Sequence, residues 1–239
     1  MIYHNAIFYP DTEEELKNLV LPINDKESHK AFILPHMRLA SIASLYRDAF
    51  SSIPNGKRIV AILPLHRETL EKDQGKFLFS PRKRCEETLL GPVQIESLSE
   101  NDSKSYEEEE YSLELLYPYV SCHNPDSILC PLFVSIKNAE EMKRLSSFIA
   151  SLDDGNTTFI VSSNMTGRMM GKNTAEDRDS MISLLESKSH LMDLWQRGKI
   201  TACGAPAIEA VQRVITSAWH LIGLSDDESI TGHAAFYAD

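Results

Sequence analysis

The 239-residue sequence is poor in positive charge and contains none of the common phosphate-binding motifs. Lysine and arginine together number 24 against 35 aspartate and glutamate residues, which gives a formal net charge of −11. Binding to a nucleic-acid backbone or to an anionic membrane needs a basic surface, so neither partner is expected. Neither glycine-rich phosphate-loop pattern occurs and the G-x-S-x-G elbow is missing, which disfavours the common nucleotide-binding folds and the α/β-hydrolases.

Long apolar runs and paired cysteines are also lacking. No run approaches the roughly 18 residues of a membrane-spanning helix, and the first residues lack the basic and apolar regions of a signal peptide. The four cysteines lie far apart and show no C-x-x-C spacing: Cys85, Cys122, Cys130 and Cys203. A disulfide framework is therefore not expected, and we expect a reduced protein in the cytoplasm.

Short apolar segments alternate with amphipathic helical patterns along the chain, and 42% of the residues are hydrophobic. The pattern predicts strands at Ala31–Leu34, Arg58–Leu63, Lys76–Phe79, Ile128–Val134, Thr157–Ser162 and Gly232–Tyr237. It predicts helices at Thr12–Leu21, Arg38–Ile53, Ala139–Leu152, Thr174–Glu186, Ser189–Gln196 and Ala205–Ile222. This alternation is typical of one α/β domain over residues 1–239, with three α/β/α layers around a largely parallel or mixed sheet.

An acidic run spans Glu107–Glu110. Such runs are usually solvated faces or helix N-termini, and we favour that interpretation over a cation site. The run leads into an apolar segment that we predict to be helical and to end near Pro118.

Two of the apolar strand segments run directly into a proline and then a histidine. The first ends in Pro35-His36 and the second in Pro64-Leu65-His66. The carboxyl ends of parallel strands meet at one edge of an α/β sheet, where ligands and chemistry collect. Either histidine alone could simply bond a backbone carbonyl at its strand end. Two imidazoles at the same edge are candidates for a shared metal site or for acid/base catalysis.

A cysteine and a polar strand end are candidates for the same site. Cys203 and Gly204 come immediately before the last long predicted helix, whose dipole would stabilise a thiolate. A buried structural role is the alternative for this cysteine. Ser162, Ser163 and Asn164 end a predicted strand at the same edge and offer hydrogen bonds but no titratable group.

These segments, in this order, resemble the Memo family, also called component B of the AmmeMemoRadiSam group. The segments that carry the resemblance are Ala6–Asp11, Phe32–Met37, Ile62–Arg67, Thr88–Val93, Glu110–Glu114, Ser162–Asn164, Cys203–Gly204 and Gly232–Ala235. They are similar to the family's A-G-x-F-Y-P-x-D, P-H-A-G, G-P-S-H, T-P-L-G-x-V, E-H-S-L-E, S-S-D, C-G and closing V-G-Y patterns. The resemblance covers nearly the whole chain.

The resemblance implies a fold related to the LigB-like class III extradiol dioxygenases, which hold non-haem Fe(II) at a sheet edge. It also implies three metal ligands and a pocket beside them: His36, His66 and Cys203 as ligands, with Tyr111, Ser163 and Asn164 in the pocket. Two imidazoles and a thiolate suit Fe, Cu or Zn rather than Mg²⁺ or Ca²⁺. Family members are associated with metal-dependent redox chemistry and, in animals, with binding of phosphorylated receptor peptides.

The sequence departs from the family pattern at positions that would carry protons. Tyr111 stands in place of the E-H-S histidine, Asn164 in place of the S-S-D aspartate, and Gly167 where a histidine is expected three residues later. Dioxygenase-like chemistry needs an acid/base, and these residues do not titrate near neutral pH.

Two functions follow: a metal-dependent oxidoreductase acting on a small molecule, or an inactive member that binds a peptide or small ligand. Asn164→Asp with Tyr111→His is expected to increase any activity.

Overall fold

The computed structural model describes residues 2–22, 26–167, 174–225 and 232–239. Within these ranges nine strands form one mixed sheet. In chain order they are β1 (Ala31–Leu34), β2 (Arg58–Pro64), β3 (Leu78–Phe79), β4 (Arg84–Thr88), β5 (Gly91–Ile95), β6 (Ile128–Val134), β7 (Thr157–Ser162), β8 (His220–Leu224) and β9 (Ala234–Ala238). The same ranges contain eight α-helices: α1 (Glu13–Val20), α2 (Leu39–Phe50), α3 (Lys104–Glu107), α4 (Tyr117–His123), α5 (Ala139–Leu152), α6 (Thr174–Glu186), α7 (Leu191–Gln196) and α8 (Ala205–Gln212).

The centre of the sheet is parallel and its two ends are antiparallel. The strand order is β4-β5-β6-β2-β7-β1-β9-β8, with β3 paired to β6. Strand β7 lies between β1 and β2 and pairs in parallel with both, so that Leu34 is opposite Ser162 and Ile62 is opposite Val161. The carboxyl ends of β1, β7 and β2 therefore lie side by side at one edge of the sheet.

Helices cover both faces of the sheet, because its central strands are apolar on both sides. On one face Ile33 and Val161 pack in a cluster with apolar residues of α5 to α8. On the other face Phe32 and Ile160 pack with apolar residues of α1, α2 and α4. The predicted three-layer α/β fold is confirmed. None of the helices in the described ranges combines the length and apolar character needed to cross a bilayer.

Most predicted elements lie at or near their predicted positions. Strands β1, β6 and β7 and helices α5 and α6 have the predicted bounds, and β2 extends one residue further. Strong local signals explain this agreement. The strands are continuous apolar runs between turns, and α5 begins after Asn138, whose side chain accepts a capping hydrogen bond from the N–H of Glu141 at 2.9 Å.

Two predicted helices are wrong in part. The helix predicted over Ala205–Ile222 ends at Gln212, and His220–Leu224 is the edge strand β8. The helix predicted to end near Pro118 instead begins there. Proline has no backbone N–H, and it is well suited to the first turn of a helix because N–H groups there have no hydrogen-bond partner within the helix. The β4–β5 hairpin has no counterpart in the prediction, since its mostly polar strands offer few apolar residues to mark them.

The acidic run is only partly a solvated face. Two of its four carboxylates are exposed, whereas Glu107 and Glu110 are buried. Buried carboxylates need partners, and both have them. Glu107 accepts hydrogen bonds from Arg84 at 2.7 Å and from Ser103 at 2.8 Å, and Glu110 is bonded to His66. The expectation of a solvated face is therefore wrong for these two residues.

Another buried carboxylate, Glu114, holds the N-terminal segment in place. Its oxygens accept hydrogen bonds from the N–H groups of Tyr3 at 2.7 Å and His4 at 3.0 Å. They also accept one from the hydroxyl of Tyr9 at 3.0 Å. Hydrogen bonds to an ionised carboxylate are stronger than those between neutral groups, so this contact fixes the segment that carries Phe8.

We expect Glu114→Gln to lower the free energy of unfolding by about 1.5–3 kcal/mol, because an amide cannot accept three hydrogen bonds in place of the carboxylate. The matched control is Glu108→Gln in the exposed part of the acidic run, which should change stability by less than about 0.5 kcal/mol. Urea denaturation of both variants measures the difference. Equal stability of the two variants would contradict the structural role given to Glu114.

Candidate metal centre

Three side chains meet where β1 and β2 end and α8 begins. His36 lies two residues after β1, His66 two residues after β2, and Cys203 two residues before α8. Because β1 and β2 both flank β7, their carboxyl ends bring the two imidazoles to the same edge of the sheet. One potential ligand atom from each of the three residues lies within 4.8 Å of the other two.

The two imidazole rings are close together and steeply inclined. The ring centroids of His36 and His66 are 4.9 Å apart at an angle of 70°, and Nε2 of His36 lies 3.6 Å from Sγ of Cys203. His36 is buried, Cys203 is half-buried and His66 is exposed. A zinc-type ion takes such ligands at about 2.0–2.3 Å, and tetrahedral geometry then puts any two of its ligand atoms about 3.3–3.8 Å apart. The separation of His36 Nε2 and Cys203 Sγ already matches this spacing, and the ligand atom of His66 needs a shift on the order of 1 Å.

Glu110 orients His66 through two hydrogen bonds. Its carboxylate accepts one from the backbone N–H of His66 at 2.6 Å and lies 2.8 Å from Nδ1 of the ring. Glu110 is only 3% exposed, whereas 41% of the His66 side chain is accessible. The contact leaves Nε2 of His66 free to face Cys203. A carboxylate behind a histidine in this way is the usual support of a metal-binding imidazole.

Two residues at the end of β7 fix His36. The hydroxyl of Ser162 lies 2.7 Å from Nδ1 of the His36 ring. The amide of Asn164 brackets the backbone of His36: Oδ1 accepts from its N–H at 3.0 Å, and Nδ2 donates to its carbonyl at 3.1 Å. As a result Nε2 is the nitrogen that His36 presents to Cys203, and both ends of the Asn164 amide are engaged in structure.

Close backbone packing fixes the thiol. The N–H of Asn164 donates to Sγ of Cys203 at 3.3 Å, and the N–H of Gly204 donates to the hydroxyl of Ser163 at 3.0 Å. A Cβ atom at Gly204 would lie 2.6 Å from Cβ of Ser163. Only glycine therefore lets the start of α8 approach the end of β7 this closely. Ser163 is fully buried, and its hydrogen bond to Gly204 holds the segment that carries Cys203.

The thiol and the imidazoles polarise one another. Burial opposes ionisation of Cys203, but the neighbouring His36 and His66 outweigh it and hold the pKa of the thiol well below its usual value. Burial also disfavours the charged form of His66, yet hydrogen bonds to Cys203 and Glu110 raise the pKa of this imidazole above its usual value. The cluster therefore favours a thiolate–imidazolium pair, and a metal ion that binds here must displace a proton.

Tyr111 stands beside the imidazole of His36. Its ring centroid is 5.9 Å from that of His36, and its ring is stacked on Phe8 at 3.7 Å. Burial and the negative charges of Cys203 and Glu110 raise the pKa of Tyr111 to about 12. The side chain is therefore a neutral phenol at neutral pH and cannot serve as a base.

Gly167 and Asn164, the other two departures from the family pattern, are held by structural contacts. The N–H of Gly167 donates to the hydroxyl of Thr201 at 3.1 Å, and a Cβ atom at Gly167 would lie 2.9 Å from the carbonyl oxygen of Thr201. A histidine could not enter this position without movement of the backbone. Asn164 is likewise committed to the backbone of His36, so neither position supplies an acid or a base.

A cleft of about 260 Å³ opens beside the cluster. His66 and Cys203 form part of its wall. The remaining wall is largely apolar, with one serine and three charged side chains: Pro64, Leu65, Val134, Ile136, Trp195, Pro206 and Ala207, with Ser135, Arg67, Glu68 and Lys137. A larger surface cavity, of about 550 Å³, lies along the N-terminal segment and includes none of the three clustered residues.

The sequence matches the family described as Memo-like protein over residues 3–219. The chain belongs to the Memo-like family. None of the curated proteins matches it. Among solved structures, the uncharacterized protein JW3007 from Escherichia coli K12 is similar, with a TM-score of 0.52 and 10% sequence identity over 88% of this chain and 100% of that chain. At this identity the likeness concerns the fold alone.

The donor set of this Memo-like protein permits two chemistries. Cys203, His66 and Glu110 have the order of a nucleophile, a base and an orienting carboxylate. A nucleophilic cysteine needs only one imidazole as its base, however, so this Cys203–His66–Glu110 arrangement does not explain why His36 lies against the thiol. Metal ligation accounts for both rings, because each has its Nδ1 engaged by a supporting residue and its other nitrogen available.

Glu110 and Ser162 are the site residues that the sequence interpretation misses. The sequence places Ser162 in a polar strand end and Glu110 in the acidic run, and both residues lie in segments that resemble the Memo family, but neither is predicted to support a ligand. Glu110 is the last residue of a run of four glutamates, and nothing in the local sequence distinguishes it from its exposed neighbours.

The electrostatics predict the reactivity of the thiol in the metal-free protein. Because the pKa of Cys203 is lowered well below its usual value, more of this thiol is ionised at neutral pH than in an ordinary cysteine, and its alkylation rate should rise less steeply between about pH 7 and 9. Burial raises the pKa values of Cys122 and Cys130, so these thiols should react slowly and faster as pH rises. Mass spectrometry of each cysteine after iodoacetamide treatment measures this.

His66→Ala should slow alkylation of Cys203 at neutral pH, because it removes a charge that lowers the pKa of the thiol. His29→Ala is the matched control, since His29 precedes β1 at the opposite edge of the sheet. An unchanged rate in His66→Ala would show that the imidazole does not activate the thiol.

The structure changes the expectation for Asn164→Asp. An aspartate would place a carboxylate oxygen against the carbonyl of His36, where Nδ2 now donates at 3.1 Å. We expect the substitution to lower the free energy of unfolding by about 1–3 kcal/mol, and to disturb His36 rather than restore activity. Asn18→Asp on the exposed face of α1 is the control, and thermal unfolding measures both. A stable, more active Asn164→Asp variant would contradict the structural role of the amide.

Proposed function

We propose that His36, His66 and Cys203 bind one transition-metal ion and that the protein carries out metal-dependent redox chemistry on a small molecule in the adjoining cleft. The observation that carries the proposal is the convergence of the three potential ligand atoms within 4.8 Å. The Nδ1 atoms of both imidazoles are already engaged, by Ser162 and Glu110. This supports the use of the remaining nitrogens as ligands.

The donor set fits Fe, Cu or Zn. Two imidazoles and a thiolate are borderline to soft ligands, which favour these ions over Mg²⁺ or Ca²⁺. Three protein ligands leave a coordination position open, as catalytic sites do and structural sites do not. When bound, a redox-active ion would supply the exchange of electrons with a substrate or with oxygen.

The chain's own residues orient the ligands and hold the substrate. Glu110 and Ser162 set the planes of the imidazoles, and the N–H of Asn164 points to the thiolate sulfur. The cleft of about 260 Å³ lies just below the usual range of small-molecule sites, and its wall is largely apolar. A compact organic molecule with apolar character is the ligand class that these features support.

A second candidate function is ligand binding without catalysis. It is favoured by the replacement of each expected proton donor: Tyr111 is a neutral phenol, Asn164 is bonded to His36, and Gly167 packs on Thr201. Loss of a positioned acid/base typically costs about 10²–10⁴-fold in rate. A small molecule or peptide would then occupy the cleft unchanged.

All four cysteines are free, which supports a reduced, cytoplasmic setting for either function.

Metal content tests the proposal directly. Protein purified without an affinity tag and loaded with Fe²⁺, Zn²⁺ or Cu⁺ should hold one ion per chain. The single variants His36→Ala, His66→Ala and Cys203→Ala should each lose most of it, because each removes one of three ligands. His29→Ala and Cys122→Ser should keep full metal content. Substoichiometric binding in the unmodified protein, or full binding in the three variants, would overturn the proposal.

Glu110→Gln tests the supporting carboxylate separately. It should weaken metal affinity by about 10–100-fold, since residues behind a metal-binding histidine have effects of this size. Glu109→Gln, the exposed neighbour, should have no effect on affinity. Oxygen consumption by the iron-loaded protein then separates the two candidate functions: turnover that requires His36 supports the oxidoreductase, and its absence with ligand still bound supports the binding module.

A further inference from the structure

A continuous series of aromatic rings runs from the candidate metal centre to the surface. The ring of Tyr111 is 5.9 Å from that of His36, and His4 lies 6.0 Å beyond Tyr111. Tyr3 follows at 6.2 Å from His4. Phe8 packs between them, stacked on Tyr111 at 3.7 Å and edge-on to His4 at 5.7 Å. At such centroid distances the ring edges are in contact or nearly so.

This series is held in place by contacts that do not belong to the metal site. Glu114 accepts hydrogen bonds from the backbone of both Tyr3 and His4. The rings of Phe8 and Tyr111 are nearly parallel, at 11°. A stacked pair and a buried carboxylate therefore fix the spacing of the rings between the centre and the N-terminal segment.

The eight tyrosines divide into two groups by exposure. Tyr3, Tyr111 and Tyr237 are half-buried, and the other five are buried. Tyr3 and Tyr111 both lie in the aromatic series. Tyr237 lies towards the opposite edge of the sheet, near the start of β1, where it is stacked on His29 at 3.7 Å. The chain thus provides a tyrosine of similar exposure and packing that is remote from the centre.

We propose that Tyr111 and Tyr3 form a route by which single electrons pass between the metal centre and the protein surface. The inference rests on the proposed function, since it needs a redox-active ion at His36, His66 and Cys203. Electron tunnelling falls steeply with distance, and a tyrosine at each end of the series divides the path into short steps. The redox partner is then a one-electron donor that meets Tyr3 and never enters the cleft.

Hydrogen peroxide is a suitable oxidant with which to observe the route. It accepts two electrons and two protons and becomes two water molecules. Tyr111 and Tyr3 each supply one electron and one phenolic proton and become neutral tyrosyl radicals, so the reaction balances without another reductant. A surface donor then returns each radical to tyrosine by supplying an electron, with a proton taken up from water.

The experiment treats Fe²⁺-loaded protein with hydrogen peroxide and a nitroso spin trap, and maps the trapped radicals by peptide mass spectrometry. We expect adducts at Tyr3 and Tyr111. Tyr111→Phe keeps the stacked ring and removes the oxidisable hydroxyl, so the adduct at Tyr3 should be lost. Tyr237→Phe, the matched control, should leave both adducts unchanged. Zinc-loaded protein should give neither adduct, because zinc is not redox-active.

Metal content measured in the same samples separates the two claims. Protein that binds none of Fe²⁺, Zn²⁺ and Cu⁺ would overturn the proposed function and the route with it, whereas protein that binds zinc or copper but no iron would overturn the iron-dependent route alone. Protein that binds one iron would overturn the route alone in any of three cases: an adduct at Tyr3 that persists in Tyr111→Phe, adducts spread evenly over all half-buried tyrosines, or oxidation confined to Cys203.

Discussion

The parallel pairing of β7 with both β1 and β2 is the constraint on which the candidate site depends. It places Leu34, Ser162 and the end of β2 at one edge, in a register fixed by backbone hydrogen bonds. Each strand then delivers one part of the site: His36 after β1, His66 after β2, and the supporting Ser162 and Asn164 from β7. A shift of register by one residue would move each strand end, with the residues that follow it, by about 3.3 Å relative to its neighbours, so the geometry of the site depends on this pairing.

A second layer of contacts converts proximity into defined geometry. Glu110 is buried, and a carboxylate without partners would be costly there. Its two hydrogen bonds to His66 remove that cost and fix the imidazole in one orientation. On the other side of the cluster Asn164 binds both backbone groups of His36 and donates to Cys203. The departures from the Memo-like pattern therefore have consequences for structure as well as for proton transfer.

The sequence predicted the parts of the site that depend on strong local patterns. Apolar strands followed by Pro35-His36 and Pro64-Leu65-His66 place both imidazoles at the sheet edge, and Cys203 before α8 follows from the glycine and proline beside it. Glu110 could not be found in this way, because burial of a carboxylate within an acidic run depends on tertiary packing. The same holds for the end of α8 at Gln212. The helical pattern continues beyond it, but pairing of β8 with β9 determines the structure there.

The central claim is that two nitrogens and one sulfur of this chain share a single ion. X-ray absorption spectroscopy of the zinc-loaded protein tests it most directly, because the fine structure counts sulfur and nitrogen neighbours separately. The account predicts one sulfur at about 2.3 Å and two imidazole nitrogens at about 2.0–2.1 Å, with the sulfur signal lost in Cys203→Ala. A spectrum without sulfur, or one in which imidazole scattering is absent, would contradict the assignment of this cluster as a metal centre.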